Sequence, residues 1–114
     1  MQVFYAPDES IWVGILRIVI TIPYAKNKKD KRKVISRLRD RFRSRYNLSI
    51  AEVGYLENIQ RSVIVISIIG NDSKLVNTNL QSRLHEAQTL LDARIDDYQI
   101  NVSPHKPISS WTSP

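Results

Sequence analysis

Apolar positions along the chain fall into six blocks whose spacing alternates between strand and helix patterns. Residues 11–22 (IWVGILRIVITI) form a twelve-residue run interrupted by Arg17 and closed by Pro23. The β-branched content predicts a central strand, partly buried on both faces, and the run is too short to span a bilayer. Ile35, Leu38, Phe42 and Tyr46, with Val34 beside them, recur at three- and four-residue spacing, which predicts a helix with one stripe against a core. Asn27 is its expected N-cap, Asp30 imitates a capping box, and Asn47 is expected to close the helix in the left-handed conformation.

Residues 48–56 (LSIAEVGYL) and 62–69 (SVIVISII) predict a second and third strand joined as a hairpin. Gly70-Asn71-Asp72-Ser73 ends the third strand and caps a second helix at Asp72 or Ser73, with Val76, Leu80, Leu84, Ala87 and Leu91 as its buried stripe. Residues 95–103 (IDDYQINVS) predict a last strand, with Tyr98, Ile100 and Val102 on one side. The order β-α-β-β-α-β, with right-handed crossovers, predicts an α+β ferredoxin-like sandwich, two helices on one face of a four-stranded antiparallel sheet. Residues 1–10 are expected to be an N-terminal arm, 11–103 a single domain, and 104–114 a Pro/Ser-containing tail.

Strand alternation sends Leu16, Ile18, Ile20, Ile64, Ile66 and Ile68 toward the helices. It leaves Val13, Ile15, Arg17, Val19 and Thr21 on the open face with Val63, Val65 and Ser67. That set holds no aromatic, so base stacking on the sheet, as in RNA-recognition motifs, is not expected. The face is apolar for a wetted surface, so it is expected to pair with a second copy or another protein.

Composition narrows the class. At 114 residues and 42% apolar, the chain makes one small domain with one core. No cysteine is present, which excludes disulfides, thiolate metal sites and cysteine nucleophiles. No charged-then-apolar leader opens the sequence, so a cytoplasmic protein without a membrane partner is expected.

Charge changes the picture most. Residues 26–46 carry eleven Lys/Arg against Asp30 and Asp40, a balance of +9, whereas the rest has six basic and nine acidic residues, a balance of −3. A solvated helix normally interleaves both signs, and Lys26, Lys28 and Lys29 gather where cations oppose the helix dipole. One-signed charge placed against local electrostatics implies a polyanionic partner. At 100° per residue, Arg32, Arg39 and Arg43 flank the apolar stripe, and Lys33, Arg37 and Arg41 are expected on the side facing away from it. Lys28, Lys29, Lys31, Arg32, Lys33, Arg37, Arg39 and Arg43 are the candidate nucleic-acid contacts, with Arg32, Arg39 and Arg43 foremost, because the arginine fork grips phosphate oxygens in pairs.

Catalytic constellations are not found. His85 and His105 have no second ligand at metal spacing, adjacent Asp96 and Asp97 are expected on opposite strand faces, and the three glycines form no phosphate-cradling pattern. A non-enzyme without metal or small-molecule cofactor is expected.

Trp12-Val13-Gly14-Ile15-Leu16-Arg17, Lys29-Asp30-Lys31-Arg32, Tyr46-Asn47-Leu48-Ser49-Ile50-Ala51-Glu52-Val53, Gln60-Arg61 and Asn71-Asp72 come in the order of the bacterial YlxP-like proteins, which the chain resembles from about residue 11 to 103. The resemblance implies a ferredoxin-like fold in a family of unknown function. It also implies an RNA or ribosome partner, since such genes often neighbour those for transcription termination, translation initiation and ribosome maturation. It brings no catalytic residues. Asn27-Lys28 replaces the usual Ser-Leu, and Gly54 and Ile59 stand where an acidic residue and a Trp are usual. The leading expectation is an RNA- or ribosome-associated binding module acting through the first helix. The alternative is a protein-interaction module, possible as a homodimer through the open sheet, whose basic helix docks on an acidic protein.

Overall fold

The computed structural model describes residues 6–105. β1 (Ile11–Thr21), α1 (Lys28–Arg45), β2 (Ser49–Gly54), β3 (Arg61–Gly70), α2 (Ser73–Leu90) and β4 (Arg94–His105) follow one another in the expected order. The sheet runs β2-β3-β1-β4 with every pair antiparallel, so β1 and β3 are central and β2 and β4 form its edges. This is the ferredoxin-like α+β arrangement.

Register explains the core. Leu16 lies opposite Ile66 and Ile18 opposite Ile64, and all four are fully buried. They pack in one cluster with Ile35, Leu38 and Phe42 of α1 and Val76, Leu80, Leu84 and Ala87 of α2. Each such Val, Leu, Ile or Phe side chain contributes about 1.5–3 kcal/mol on burial. The assigned sheet faces hold, and Val19 and Val63, paired on the open face, are themselves buried. Gly14 lets α2 approach β1 closely, since a Cβ there would meet Val76 Cγ1 at 2.5 Å and Leu80 Cδ1 at 2.7 Å.

The element ends follow from capping. Asn27 accepts a hydrogen bond from the Asp30 N–H at 2.9 Å. The Asp30 carboxylate reaches one residue further back than a capping box, accepting from the Lys26 N–H at 2.9 Å. Tyr46, not Asn47, ends α1, in extended backbone with φ −133° and its N–H donating to the Phe42 carbonyl. The chain runs directly into β2, and Tyr55 (φ 54°) is the one non-glycine with positive φ among the described residues. Asp72 caps α2, accepting from the Lys74 and Leu75 N–H groups.

Two expectations change at β4. The strand continues to His105, so Pro104 pairs opposite Trp12 instead of opening a tail, a position that an edge strand tolerates. A bulge also interrupts β4, where Asp97 registers with Val19 and Ile95 with Ile20, leaving Asp96 as the extra residue. Asp96 meets Thr21, Arg94 and Arg61, which share the open face. The two aspartates therefore lie on the same side of the sheet, not on opposite sides. Residues 6–10 precede β1 without strand or helix, and the remainder of the expected arm and tail, 1–5 and 106–114, falls outside the described residues. Among the described residues no helix is long and apolar enough to cross a membrane.

Candidate functional site

Lys31 stands on the buried stripe of α1, one turn before Ile35, and only 4% of its surface is exposed. Its ammonium donates to the carbonyl oxygens of Tyr55 (2.8 Å), Asn58 (2.6 Å) and Arg61 (3.0 Å) and lies 2.8 Å from Glu52 Oε2. That carboxylate oxygen also accepts from the Ser62 hydroxyl at 2.7 Å. An ammonium has three protons, and all are engaged inside the protein. Lys31, a candidate phosphate contact in the sequence, is thus corrected to a structural post that ties the β2–β3 loop to α1. The Gln60 amide ties the same loop to the β1–α1 connection by donating to the Pro23 and Ala25 carbonyls. The sequence carried a signal for this role, because Lys31 continues the Ile35–Leu38–Phe42 stripe and Glu52 lies opposite Ile64 on the core side of β2.

Beside this post, α1 and the hairpin enclose a cleft of about 230 Å³, with Lys28, Arg32, Ser36 and Arg39 along the helix and Ile35 and Leu56 as apolar lining. Arg43 extends the same flank by one turn and is exposed. Lys28 pairs with Glu57 of the hairpin loop, and this contact holds the Glu57 carboxyl below its ordinary range. Both partners are well exposed, so the pair is weak. Arg32, Arg39 and Arg43 have no carboxylate within ion-pair distance among the described residues, and Glu52, which lines the cleft, is engaged by Lys31 and Ser62. The flank is therefore positively charged over a partly apolar floor.

A model of the family described as "Protein of unknown function (DUF503)" matches residues 13–100. The chain belongs to the DUF503 family. No curated protein sequence matches it. Among solved structures it is similar to the de novo designed protein Foldit4, at 17% identity and a TM-score of 0.46 over 85% of this chain and 98% of that one. The DUF503 match runs from β1 into β4 and so takes in α1, the hairpin and the cleft between them.

The remaining cations of this DUF503 chain are distributed differently from the helical projection. Lys33 and Arg37 do not face away from the protein. They line a second groove of about 280 Å³, with Tyr24, Leu90 and Leu91 and two carboxylates, Asp30 and Asp92. Burial first, then the Asp92 charge, raises the Tyr24 phenol above its usual pKa. Arg41 turns to α2, with its Nε 3.4 Å from Glu86 Oε2. The Tyr46 hydroxyl donates to Glu86 at 2.7 Å, and the Arg83 guanidinium lies 3.5 Å from the Tyr46 ring centre. Lys29 is exposed at the start of α1, outside both grooves. The structure thus brings together Lys28, Arg32, Arg39 and Arg43, separates Lys29, Lys33 and Arg37 from them, and removes Lys31.

The open face shows no stacking platform. By register it presents Ala51, Val65, Arg17 and Gln99 across the middle of the sheet. Tyr55, at the end of the hairpin, is covered by the Arg61 guanidinium, 4.4 Å from its ring centre. His85 is exposed on α2 beside Tyr98, His105 ends β4, and no group of three or more potential metal ligands is found among the described residues.

Proposed function

We propose that this chain is a non-catalytic, cytoplasmic RNA-binding module that grips the sugar–phosphate backbone of a structured RNA or ribonucleoprotein with the flank of α1 facing the β2–β3 hairpin. One observation carries the reading: Arg32 and Arg39 line a cleft with Lys28 and carry no carboxylate partner among the described residues. The flank from Lys28 to Arg43 is about 22 Å long, with Lys28–Arg32 and Arg39–Arg43 each about 6 Å apart, so successive phosphates can be met along it. Such contacts position a protein on RNA without reading bases, in keeping with an open face that offers no stacking aromatic. Within DUF503 we place the chain with the YlxP-like proteins, on Lys29-Asp30-Lys31-Arg32 and Asn47-Leu48-Ser49-Ile50-Ala51-Glu52-Val53. A ribosomal or pre-ribosomal RNA partner belongs to that placement.

The test is a titration of a labelled stem-loop RNA at several salt concentrations, comparing wild type with an Arg32→Glu/Arg39→Glu/Arg43→Glu variant. Binding at low salt that the variant loses supports the proposal. Absence of binding at low salt, or equal binding by the variant, overturns it. A nuclease-resistant association through α1 would favour an acidic protein partner instead.

A further inference from the structure

We infer that the open face of the sheet is the contact surface of a homodimer, in which a second copy of this chain packs face to face and the helices of both copies point outward. The face carries large apolar side chains with no layer over them among the described residues. Ile69 is 75% exposed and Ile15 41%. Ile69 pairs with Val13, and Ile15 lies two residues further along β1 on the same face, so these form one patch over the two central strands. Contiguous apolar surface of this kind marks an association site, unlike isolated exposed side chains.

Area and charge both select a second copy as the occupant. Strands of 11, 6, 10 and 12 residues, about 4.8 Å apart and rising about 3.3 Å per residue, give a face of about 600 Å². Two such faces bury about 1,200 Å², which is in the range of specific interfaces. Arg17, Arg61 and Arg94 are largely offset on this face by Asp96 and Asp97, leaving these groups one net positive charge, while the strongly basic segment lies in the helix layer on the other side of the sheet. Two copies can therefore approach through the sheets without bringing their basic helices together. Arg17 and Asp97 have no opposite-charge partner within ion-pair distance among the described residues. An isologous contact offers each a counter-charge from the other copy.

The edges of the sheet are guarded in a way that the face is not. β2 is six residues long and its pairing is broken by a register shift before Gly54. β4 carries Arg94, Asp96 and Asp97, a bulge and Pro104. Short, charged, bulged or proline-bearing edges resist edge-to-edge pairing, which leaves the face as the route to association. In the resulting dimer the two α1 clefts sit on opposite outer surfaces, on the order of 30 Å apart, as expected of two layers on each side of a sheet–sheet contact.

Sedimentation velocity over about 1–100 µM reads the outcome. Wild type is expected to sediment as a dimer, and Ile15→Lys/Ile69→Asp as a monomer with unchanged far-UV circular dichroism, the dissociation constant rising at least about 100-fold. Should the double variant not fold, Ile69→Asp alone, at the more exposed position, gives the same reading. The Arg32→Glu/Arg39→Glu/Arg43→Glu variant is expected to remain dimeric, which separates this inference from RNA binding. A monomeric wild type throughout, or face variants that dimerise as wild type does, overturns the inference.

Discussion

The Lys31 ammonium and the Glu52 carboxylate lie 2.8 Å apart beneath the β2–β3 hairpin, with 5% and 20% of their side chains exposed. The ion pair is satisfied on both sides, by three carbonyls around the lysine and by the Ser62 hydroxyl on the glutamate. Removing one partner of such a pair leaves the other charge buried and unmatched, which costs about 3–5 kcal/mol. Lys31→Met is therefore expected to lose about that much, read from urea denaturation, and Glu52→Gln about 1–2 kcal/mol, because the lysine keeps its carbonyls. Lys31→Met/Glu52→Gln should cost less than the two single changes added together, the mark of coupled groups. A Lys31→Met variant as stable as wild type would contradict the assigned role.

The division of cations between the two grooves leads to a prediction about salt. Each phosphate neutralised contributes about 0.7–0.9 to the slope of log K against log salt. Replacing Arg32, Arg39 and Arg43 by Glu is expected to lower the slope by about 2 and weaken low-salt RNA binding by at least about 100-fold. Lys33→Glu/Arg37→Glu alters cations that already share their groove with Asp30 and Asp92, and should change binding by no more than about tenfold. Equal losses for the two variants would mean that RNA engages both exposed flanks of α1.

The fold was legible because strand alternation and helical spacing agree at nearly every core position, from Leu16 and Ile66 to Val76 and Leu80. The charged flank was legible for the same reason, since 100° per residue puts Arg32, Arg39 and Arg43 together once Leu38 is known to point inward. Lys31 is not legible as a core residue because its type is rarely buried, and its partners come from the hairpin 24 to 30 residues away in sequence. The Asp96 bulge was hidden too: a one-residue register shift leaves no mark on an alternation pattern that Asp96-Asp97 already interrupts. Asn47 suits a left-handed cap by residue type alone, but the direct entry into β2 puts the end of α1 at Tyr46 in extended backbone.

Close packing at Gly14 sets a third expectation. It has ordinary backbone, so the constraint is space: a new Cβ meets Val76 and Leu80 within 2.7 Å, and both belong to the buried stripe of α2. Gly14→Ala should destabilise by about 1–3 kcal/mol through overpacking, even though alanine is otherwise the better strand residue. Adding Val76→Ala removes the closest of these contacts, so Gly14→Ala should cost less in that background than in wild type. Additive losses in a thermal or urea denaturation series would show that the sheet and α2 adjust separately.

Glu86 gives the protein an acid-sensitive joint between its helices. Burial opposes its charge, but the hydrogen bonds from the Tyr46 hydroxyl and Arg41, with the nearby Arg83, outweigh that cost, and the carboxyl titrates below its ordinary value of 4.5. The folded protein thus holds this proton less tightly than the unfolded chain does. The stabilisation is fully present above the unfolded pKa and is lost as pH falls through the lower folded value. Glu86→Gln should cost about 1–2 kcal/mol at neutral pH, because it removes a charge that three partners face. In urea midpoints measured from about pH 7 down to about pH 3, the gap between wild type and Glu86→Gln should begin to close below about pH 4.5 and vanish only below the lower folded pKa. A gap that stays constant across the series would place the cost of the substitution in packing and leave the Arg41–Glu86–Tyr46 contacts without electrostatic weight.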